Sequence, residues 1–207
     1  MRLQVIYKGH QYRLSLARCK TRTQSQSVFN MFKSPLGFLP MNYTIKQLQD
    51  ELPHAGEVLW IGLRPQRNAP MSEVPQVHAD IGAGLQGDRF KGSRLSKRQV
   101  TLIQAEHLAV IGALLQREPL APSLLRRNLV VQGINLLALK DKTFSIGEVV
   151  LEMTGLCHPC SKMEILLGRG GYNAMRGHGG ITARVVKSGM IKLGDKVTIE
   201  TQNLNTT

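Results

Sequence analysis

Short apolar segments recur along this chain, most of them followed by glycine, proline or another turn residue, and this pattern limits the possible folds. Such segments, rich in valine, isoleucine and leucine, are typical of β-strands. They occupy residues 57–63, 77–81, 99–104, 129–131, 144–153, 181–187, 190–193 and 197–200. Residues 105–116 form one longer run whose apolar positions suit a helix face, and Pro122 begins a short helical turn. The sequence therefore predicts a mainly β fold, a closed or partly closed β-barrel with a few short helices.

The connections between these segments add two expectations. Ser188 and Gly189, which separate segments 181–187 and 190–193, predict a β-hairpin. A doubly wound α/β sheet is disfavoured because long helices do not alternate regularly with the strands.

The distribution of charge divides the chain into two parts. The 207-residue sequence has 27 lysines and arginines against 14 acidic residues, which gives a formal net charge of +13. Seven of the basic residues and no acidic residue lie in the first 40 positions, so the remainder carries +6. We expect a basic N-terminal appendage at 1–45 and the barrel domain at 46–204.

The appendage has three competing interpretations. Its arginines and serines, without acidic residues, are typical of an organelle-targeting leader. Met31 and Met41 offer later start sites, in which case the preceding residues are upstream sequence. Apolar residues that alternate within 3–7 and 12–16, on either side of Gly9, instead predict a structured hairpin.

Composition argues against three classes of protein. No run of about 18 apolar residues is present to span a membrane. Three cysteines, an odd number, do not suit a disulfide framework and favour a reducing compartment, so we expect a cytoplasmic protein. Only 5% of residues are aromatic and no basic stripe alternates with stacking rings, so nucleic acid is not an expected partner.

The chemistry concentrates at the sequence Cys-His-Pro-Cys, residues 157–160. The next four residues, 161–164, fit a capping box, and Gly168 is a natural helix end. Cys160 is therefore expected just before a helix N-terminus, where backbone N–H groups and the helix dipole favour an anion. Lys162 adds a positive charge. Cys160 is predicted to be a catalytic thiolate that attacks an electrophile or ligates a soft metal.

Three other interpretations of the cysteine pair stay open. A zinc site needs further ligands, and no spacing ties His107, His158 or His178 to the pair. A thiol-disulfide oxidoreductase that uses Cys157 and Cys160 requires a βαβ pattern that the sequence does not contain. Two buried structural cysteines would be small hydrophobes, although their polar neighbours disfavour this.

Groups suited to anions recur along the chain. Arg126, Arg127 and Asn128 are consecutive, and guanidinium groups match phosphate bidentately. Residues 168–180 contain six glycines, which would let backbone N–H groups approach a phosphate or pterin. A third turn, 84–89, ends in an aspartate and an arginine. The simpler alternative is that the arginines are solvated and that Asp88 and Arg89 are a local structural pair.

The order of these motifs resembles the MOSC domain, the module named from the C-terminal part of molybdenum-cofactor sulfurases. The similar motifs are 58–65 (VLWIGLRP), 84–89 (GLQGDR), 98–103 (RQVTLI), 126–133 (RRNLVVQG), 144–147 (FSIG), 159–160 with Lys162, 179–185 (GGITARV) and 194–195 (GD). Together they cover residues 56–200. The chain is most similar to stand-alone bacterial members and has no room for a pyridoxal-phosphate cysteine desulfurase domain.

The resemblance implies a β-barrel that binds the molybdenum cofactor, molybdopterin, with Cys160 as the metal ligand. It implies that Arg126, Arg127, Asn128 and Arg184 hold the pterin phosphate and the polar groups of its ring. The remaining cofactor-binding residues implied are Lys162, Gly179 and Gly180, with Asp88 and Arg89 at the pocket wall. Phe90 stands where relatives often have histidine, and His178 is a candidate substitute.

Two activities are compatible with this resemblance. One is reduction of N-hydroxylated small molecules, which needs an electron-donating reductase because the sequence has no flavin, haem or iron–sulfur motif. The other is sulfur transfer, in which a Cys160 persulfide passes sulfur between a donor protein and an acceptor. Both require a reactive thiol in a basic, glycine-lined pocket, so the residues alone do not separate them.

Overall fold

A computed structural model describes residues 43–200, together with the backbone of two N-terminal strands, β1 (Arg2–Tyr7) and β2 (His10–Ser15). The chain forms two compact units, Met1–Thr44 and Ile45–Thr207. In the first unit β1 and β2 are antiparallel, with Arg2 opposite Ser15 and Tyr7 opposite His10. The interpretations of this region as a leader or as upstream sequence stay predictions.

The second unit contains eleven further strands and five helices in its described part. The helices are α1 (Ile45–Asp50), α2 (Ala105–Leu114), α3 (Pro122–Leu125), α4 (Ser161–Leu167) and α5 (Gly171–Met175), with a 3-10 helix at Leu136–Leu139. The strands are β3 (Gly56–Leu63), β4 (Ser72–Glu73), β5 (Gln76–Asp80), β6 (Gly84–Leu85), β7 (Val100–Gln104), β8 (Leu129–Gln132), β9 (Thr143–Ile146), β10 (Val149–Leu156), β11 (Ile181–Lys187), β12 (Gly189–Lys192) and β13 (Lys196–Ile199).

Seven of these strands close into a barrel. Their order is β13-β9-β10-β11-β7-β8-β3, and β13 pairs with β3 to complete the ring. Neighbours in the ring are antiparallel except β7 and β8, which are parallel and joined through α2 and α3. The predicted mainly β barrel with short helices is confirmed.

The barrel forms because its strands bury alternate side chains. In β10, Val149, Leu151 and Met153 are buried while the residues between them are partly exposed, which is the two-residue period of a strand with one face inside. Phe144 on β9 is fully buried in the same core. Closing the sheet on itself buries this apolar face and leaves no free edges in the ring.

A second apolar cluster lies where the helices meet. Ile111 of α2, Leu125 of α3, Met163 of α4 and Met175 of α5 pack with Ile103 of β7. This packing fixes α4 beside the barrel and so fixes the position of its first residues, which follow Cys160.

Two sequence-based expectations about the strands are wrong. Segments 181–187 and 190–193 do not form a hairpin, because β11 pairs with β10 and β7 while β12 pairs with β5 in a separate sheet. The chain changes sheets at Ser188, whose hydroxyl accepts a hydrogen bond from the Ile81 N–H at 3.1 Å. Segment 144–153 is two strands, because Gly147, at φ +57°, turns the chain between β9 and β10.

Among the described residues no helix has the length and apolar character needed to cross a membrane.

Candidate functional site

The Cys-His-Pro-Cys segment forms a turn between β10 and α4. Cys157 is buried, with 3% exposure, and its N–H donates to the Gly180 carbonyl at 2.8 Å. Cys160 is exposed, and both thiols are free. Cys160 lies at the N-terminus of α4, where the sequence predicts a helix to begin, and Gly168 ends the helix. The turn thus presents one thiol to solvent and keeps the other inside.

The predicted capping box is wrong. The N-cap is Cys160 and not Ser161. The Glu164 carboxylate accepts hydrogen bonds from the N–H groups of Gly170 at 2.8 Å and Tyr172 at 2.7 Å, so it serves the start of α5 instead. These bonds, the one from Tyr172 first, lower the pKa of Glu164.

Arg127 connects three segments around the turn. Its side chain is buried, with 6% of the residue exposed. Its Nε donates to the Gly179 carbonyl at 2.8 Å, Nη1 to the Leu125 carbonyl at 2.9 Å and Nη2 to the Cys157 carbonyl at 3.2 Å. Arg127 therefore links the cysteine turn by hydrogen bonds to the glycine-rich loop and to the end of α3.

Asn128 and Asp88 belong to a buried polar network centred on Arg64. The Arg64 guanidinium bonds the Asp88 carboxylate from Nε at 3.0 Å and from Nη2 at 2.7 Å, and Nη2 also donates to the Asn128 amide oxygen at 3.2 Å. That oxygen also accepts from the Thr101 hydroxyl at 2.8 Å, and the Asn128 amide nitrogen donates to the Gly62 carbonyl at 3.1 Å. The ion-pair partner of Asp88 is therefore Arg64 and not Arg89, so the alternative of a local Asp88–Arg89 pair is wrong.

Arg126 lies within electrostatic range of Arg64, Arg89 and Asp88. Arg126 adopts a left-handed conformation, φ +58°, and its Nη1 donates to the Ala69 carbonyl at 2.8 Å. Burial lowers the pKa of Arg126, the positive charges of Arg64 and Arg89 lower it further, and only the charge of Asp88 opposes them. The region therefore carries a surplus of positive charge.

Lys162 extends this basic region to the cysteine turn. Its ammonium group, two residues after Cys160, donates to the side-chain oxygen of Asn68. The loop that follows β3 is thereby tied to the beginning of α4, where the exposed thiol lies.

Gly179 and Gly180 permit close backbone approach. A Cβ on Gly180, which has φ +83°, would lie 1.9 Å from the Leu102 carbonyl oxygen, and one on Gly179 would lie 2.3 Å from the Cys157 carbonyl oxygen. Both glycines also line a small cavity of about 50 Å³ beside the turn, with Leu156, Cys157, His158, Pro159, Met175 and Gly177. The glycines are thus required by packing, whatever else they bind.

Two other residues considered from the sequence have protein partners. Arg184 is paired with Glu152 on the adjacent strand, with Nη2 2.6 Å from the carboxylate. The His178 ring makes an edge-to-face contact with His107, 5.0 Å between centroids, and neither Nδ1 has a hydrogen-bond partner. Their roles in cofactor binding and proton delivery stay predictions. The described residues contain no group of three or more His, Cys, Asp or Glu side chains that could hold a metal ion.

Sequence reasoning missed Arg64, Asn68 and Thr101 as parts of the site. Arg64 belongs to the motif 58–65 and precedes a proline at the end of a strand, but neither feature marked it as a residue of the site. Its partner Asp88 is 24 residues away, and no local spacing connects the two.

The described residues form a closed seven-stranded β-barrel protein with an exposed cysteine at the start of a helix. A family model for the MOSC domain matches residues 72–198, and the chain belongs to this family, which is associated with molybdenum-cofactor binding.

Three solved structures have the same fold but are only 15–17% identical to this chain. The YuaD protein of Bacillus subtilis is 17% identical over 70% of this chain and 96% of its own, with a TM-score of 0.61. YiiM from Geobacillus stearothermophilus is 15% identical over 72% of this chain and 77% of its own, with a TM-score of 0.58. YiiM from Escherichia coli is 16% identical over 75% and 74%, with a TM-score of 0.57. These similarities concern the fold alone. No curated protein matches the chain significantly.

Proposed function

We propose that this protein binds the molybdenum cofactor with the Cys160 thiolate as a ligand of the metal, and that it reduces N-hydroxylated compounds. The observation that carries the proposal is an exposed Cys160 thiol at the start of α4, where Lys162 bonds Asn68 and the adjacent Ala69 carbonyl accepts from Arg126. A thiolate is a soft ligand suited to such a metal, and arginines suit the phosphate of the pterin. The residues present therefore fit an anionic, metal-bearing cofactor.

The roles within the site differ among its residues. Cys160 would hold the metal, while Arg89, Arg126 and Lys162 would face the phosphate, because none of the three has an ion-pair partner within residues 43–200. Asn128 and Asp88 are fully occupied by protein partners and would hold the arginines in place. When bound, the cofactor supplies two-electron redox chemistry, and the electrons come from a separate reductase.

One observation favours sulfur transfer as the second candidate. The Cys160 thiol is exposed at the start of α4 and does not line the cavity of about 50 Å³ at the turn. A persulfide on an exposed cysteine can reach a donor or acceptor protein without a pocket for a small molecule.

The two candidates differ in what the purified protein carries. The protein is expressed in a host that makes the cofactor, and molybdenum, pterin and cyanide-releasable sulfur are measured per chain. Cofactor binding predicts that the wild-type protein carries nearly one molybdenum and one pterin per chain. The Cys160→Ala variant should lose this loading, and the Cys157→Ala variant should retain it. The loaded protein should reduce a simple amidoxime with a reduced viologen dye. Loading that survives in folded Cys160→Ala would refute the ligand role, and releasable sulfur without molybdenum would favour sulfur transfer.

A further inference from the structure

Arg127 is a buried cation without a carboxylate partner. It is 6% exposed, and all three of its hydrogen bonds go to backbone carbonyl groups. No ion pair joins Arg127 to an acidic side chain within residues 43–200. An arginine stays protonated even when buried, so its charge has to be offset locally. Carbonyl dipoles supply part of that stabilisation, and an uncompensated buried charge remains costly.

The groups near Arg127 that can become anionic are the two thiols. Burial lowers the pKa of Arg127, whereas negative charge on Cys157 or Cys160 raises it. The remaining charges that act on Arg127 are those of Arg98 and Arg64, and both are positive. The Nη2 atom of Arg127 lies 3.2 Å from the Cys157 carbonyl oxygen, so the guanidinium places positive charge at the cysteine turn.

The hydrogen bonds of Arg127 also fix the backbone of this turn. Its Nη2 holds the Cys157 carbonyl and its Nε holds the Gly179 carbonyl, while the Cys157 N–H bonds the Gly180 carbonyl. The fit is tight, because a Cβ on Gly179 would lie 3.3 Å from Arg127 Nη2 as well as 2.3 Å from the Cys157 carbonyl oxygen. The first residue of the turn therefore has little freedom to move, and Cys160 follows three residues later.

From these observations we infer that Arg127 is a positioning residue for the thiol site and does not bind the cofactor itself. Its Nε and Nη2 hold the Cys157–Cys160 turn against the glycine loop, and its unpaired buried charge favours anions that approach the turn. The inference deepens the proposed function, on which its relevance to cofactor binding rests. It applies equally to a metal-ligating thiolate and to a persulfide.

Substitutions at Arg127 can separate the effect of its charge from the effect of its hydrogen bonds. Arg127→Lys keeps the charge and loses the planar fork, whereas Arg127→Gln keeps a donor and loses the charge. Lys142→Met is a matched control, because the Lys142 side chain is only 16% exposed and bonds the Gln49 carbonyl, but it has Asp50 as its carboxylate partner.

The experiment compares two alkylating reagents of nearly equal size on the full-length protein without cofactor. Iodoacetate is an anion and iodoacetamide is neutral, so the ratio of their rates at Cys160 measures local positive charge and cancels changes in accessibility. Mass spectrometry of proteolytic fragments reads Cys160 separately from Cys19 and Cys157, and thermal melting confirms that each variant is folded.

Loss of the charge should lower the iodoacetate-to-iodoacetamide ratio by about fivefold in Arg127→Gln, as expected for removing one unit charge near a solvent-exposed thiol. Arg127→Lys and Lys142→Met should stay within about twofold of wild type. An unchanged ratio in folded Arg127→Gln overturns the inference.

Wild-type protein provides a second measurement if Arg127→Gln does not fold. Its ratio at Cys160 in buffer should exceed that in concentrated urea by about fivefold, because unfolding removes the fixed charge from the thiol. A native ratio no higher than the unfolded one also overturns the inference. Neither measurement involves molybdenum, so failure here is distinguishable from failure of the proposed function.

Discussion

Replacement of Asp88 by asparagine should destabilise the barrel through the charge that it leaves behind on Arg64. The Asp88 side chain is fully buried, and the Arg64 side chain is 17% exposed. The carboxylate accepts from the Arg64 N–H at 2.7 Å, from its Nε at 3.0 Å and Nη2 at 2.7 Å, and from the Phe90 N–H at 3.3 Å. An amide in its place keeps one acceptor oxygen and turns an NH₂ group toward the guanidinium donors.

The magnitude follows from the geometry. Removing one partner of a buried ion pair costs about 3–5 kcal/mol, and the residual exposure of Arg64 places Asp88→Asn near the lower end, about 3 kcal/mol. With a urea m-value of about 2 kcal/mol/M, the unfolding midpoint should fall by about 1.5 M. The double variant Arg64→Met/Asp88→Leu should lose less, because it removes both charges together.

The pH dependence of Asp88 provides an independent measurement. Burial alone would raise the pKa of Asp88, but the hydrogen bonds and charge of Arg64 outweigh it and the pKa is lowered. A carboxyl with a lowered folded-state pKa stabilises the fold above its unfolded pKa of about 3.9, and this contribution is lost as the pH falls through the folded value. The difference between wild type and Asp88→Asn should therefore shrink below about pH 4.

Urea unfolding followed by circular dichroism, at pH 7 and at acid pH, measures all three proteins. If Asp88→Asn lowers the free energy of unfolding by less than about 1 kcal/mol, the Arg64–Asp88 pair does not stabilise the barrel as proposed, since a loss of about 3 kcal/mol is expected for a buried pair. A double variant less stable than the single one would refute the reasoning as well.

Two further predictions concern other parts of the structure. Gly180→Ala should lower the free energy of unfolding by about 3 kcal/mol or more, or prevent folding, because its Cβ would overlap the Leu102 carbonyl. Gly177→Ala, also at positive φ but in open space, should cost only about 1 kcal/mol, and equal melting temperatures for the two variants would contradict this. Burial and the charge of His178 lower the pKa of His107, so the unfolded chain binds a proton more readily and stability is lost as the pH falls from about 6.5 through the folded value. His107→Phe should flatten the fall of the urea midpoint over this range, and parallel curves would exclude His107 as its cause.

The strands could be predicted from the sequence more readily than their partners. Apolar runs marked β3, β7 and β11 to within a residue or so, because burial of one strand face requires that pattern. Pairing depends on residues distant in sequence, so Ser188 and Gly189 suggested a hairpin although the chain there passes to another sheet. Gly147 was the available signal for the missed turn between β9 and β10.

The site shows the same division between local and distant information. The position of Cys160 at the beginning of α4 follows from local helix signals, and the structure agrees. Glu164 carries the capping-box signal, yet its carboxylate bonds N–H groups six and eight residues downstream. Asp88 likewise bonds Arg64 and not the adjacent arginine, because only the folded barrel brings the end of β3 beside that loop.

The pair that closes the barrel, β3 with β13, has a consequence for how the protein reaches its native state. This seam joins Glu57 and Lys196 across 139 residues of sequence. Contacts so distant in sequence form slowly, because the loss of chain entropy on bringing the two ends together precedes any stabilising contact between them. Until they meet, the facing edges of both strands are open to pairing with other chains. Closure of the ring is therefore expected to be a late step in folding, and the interval before it is when a newly made chain is most exposed to aggregation.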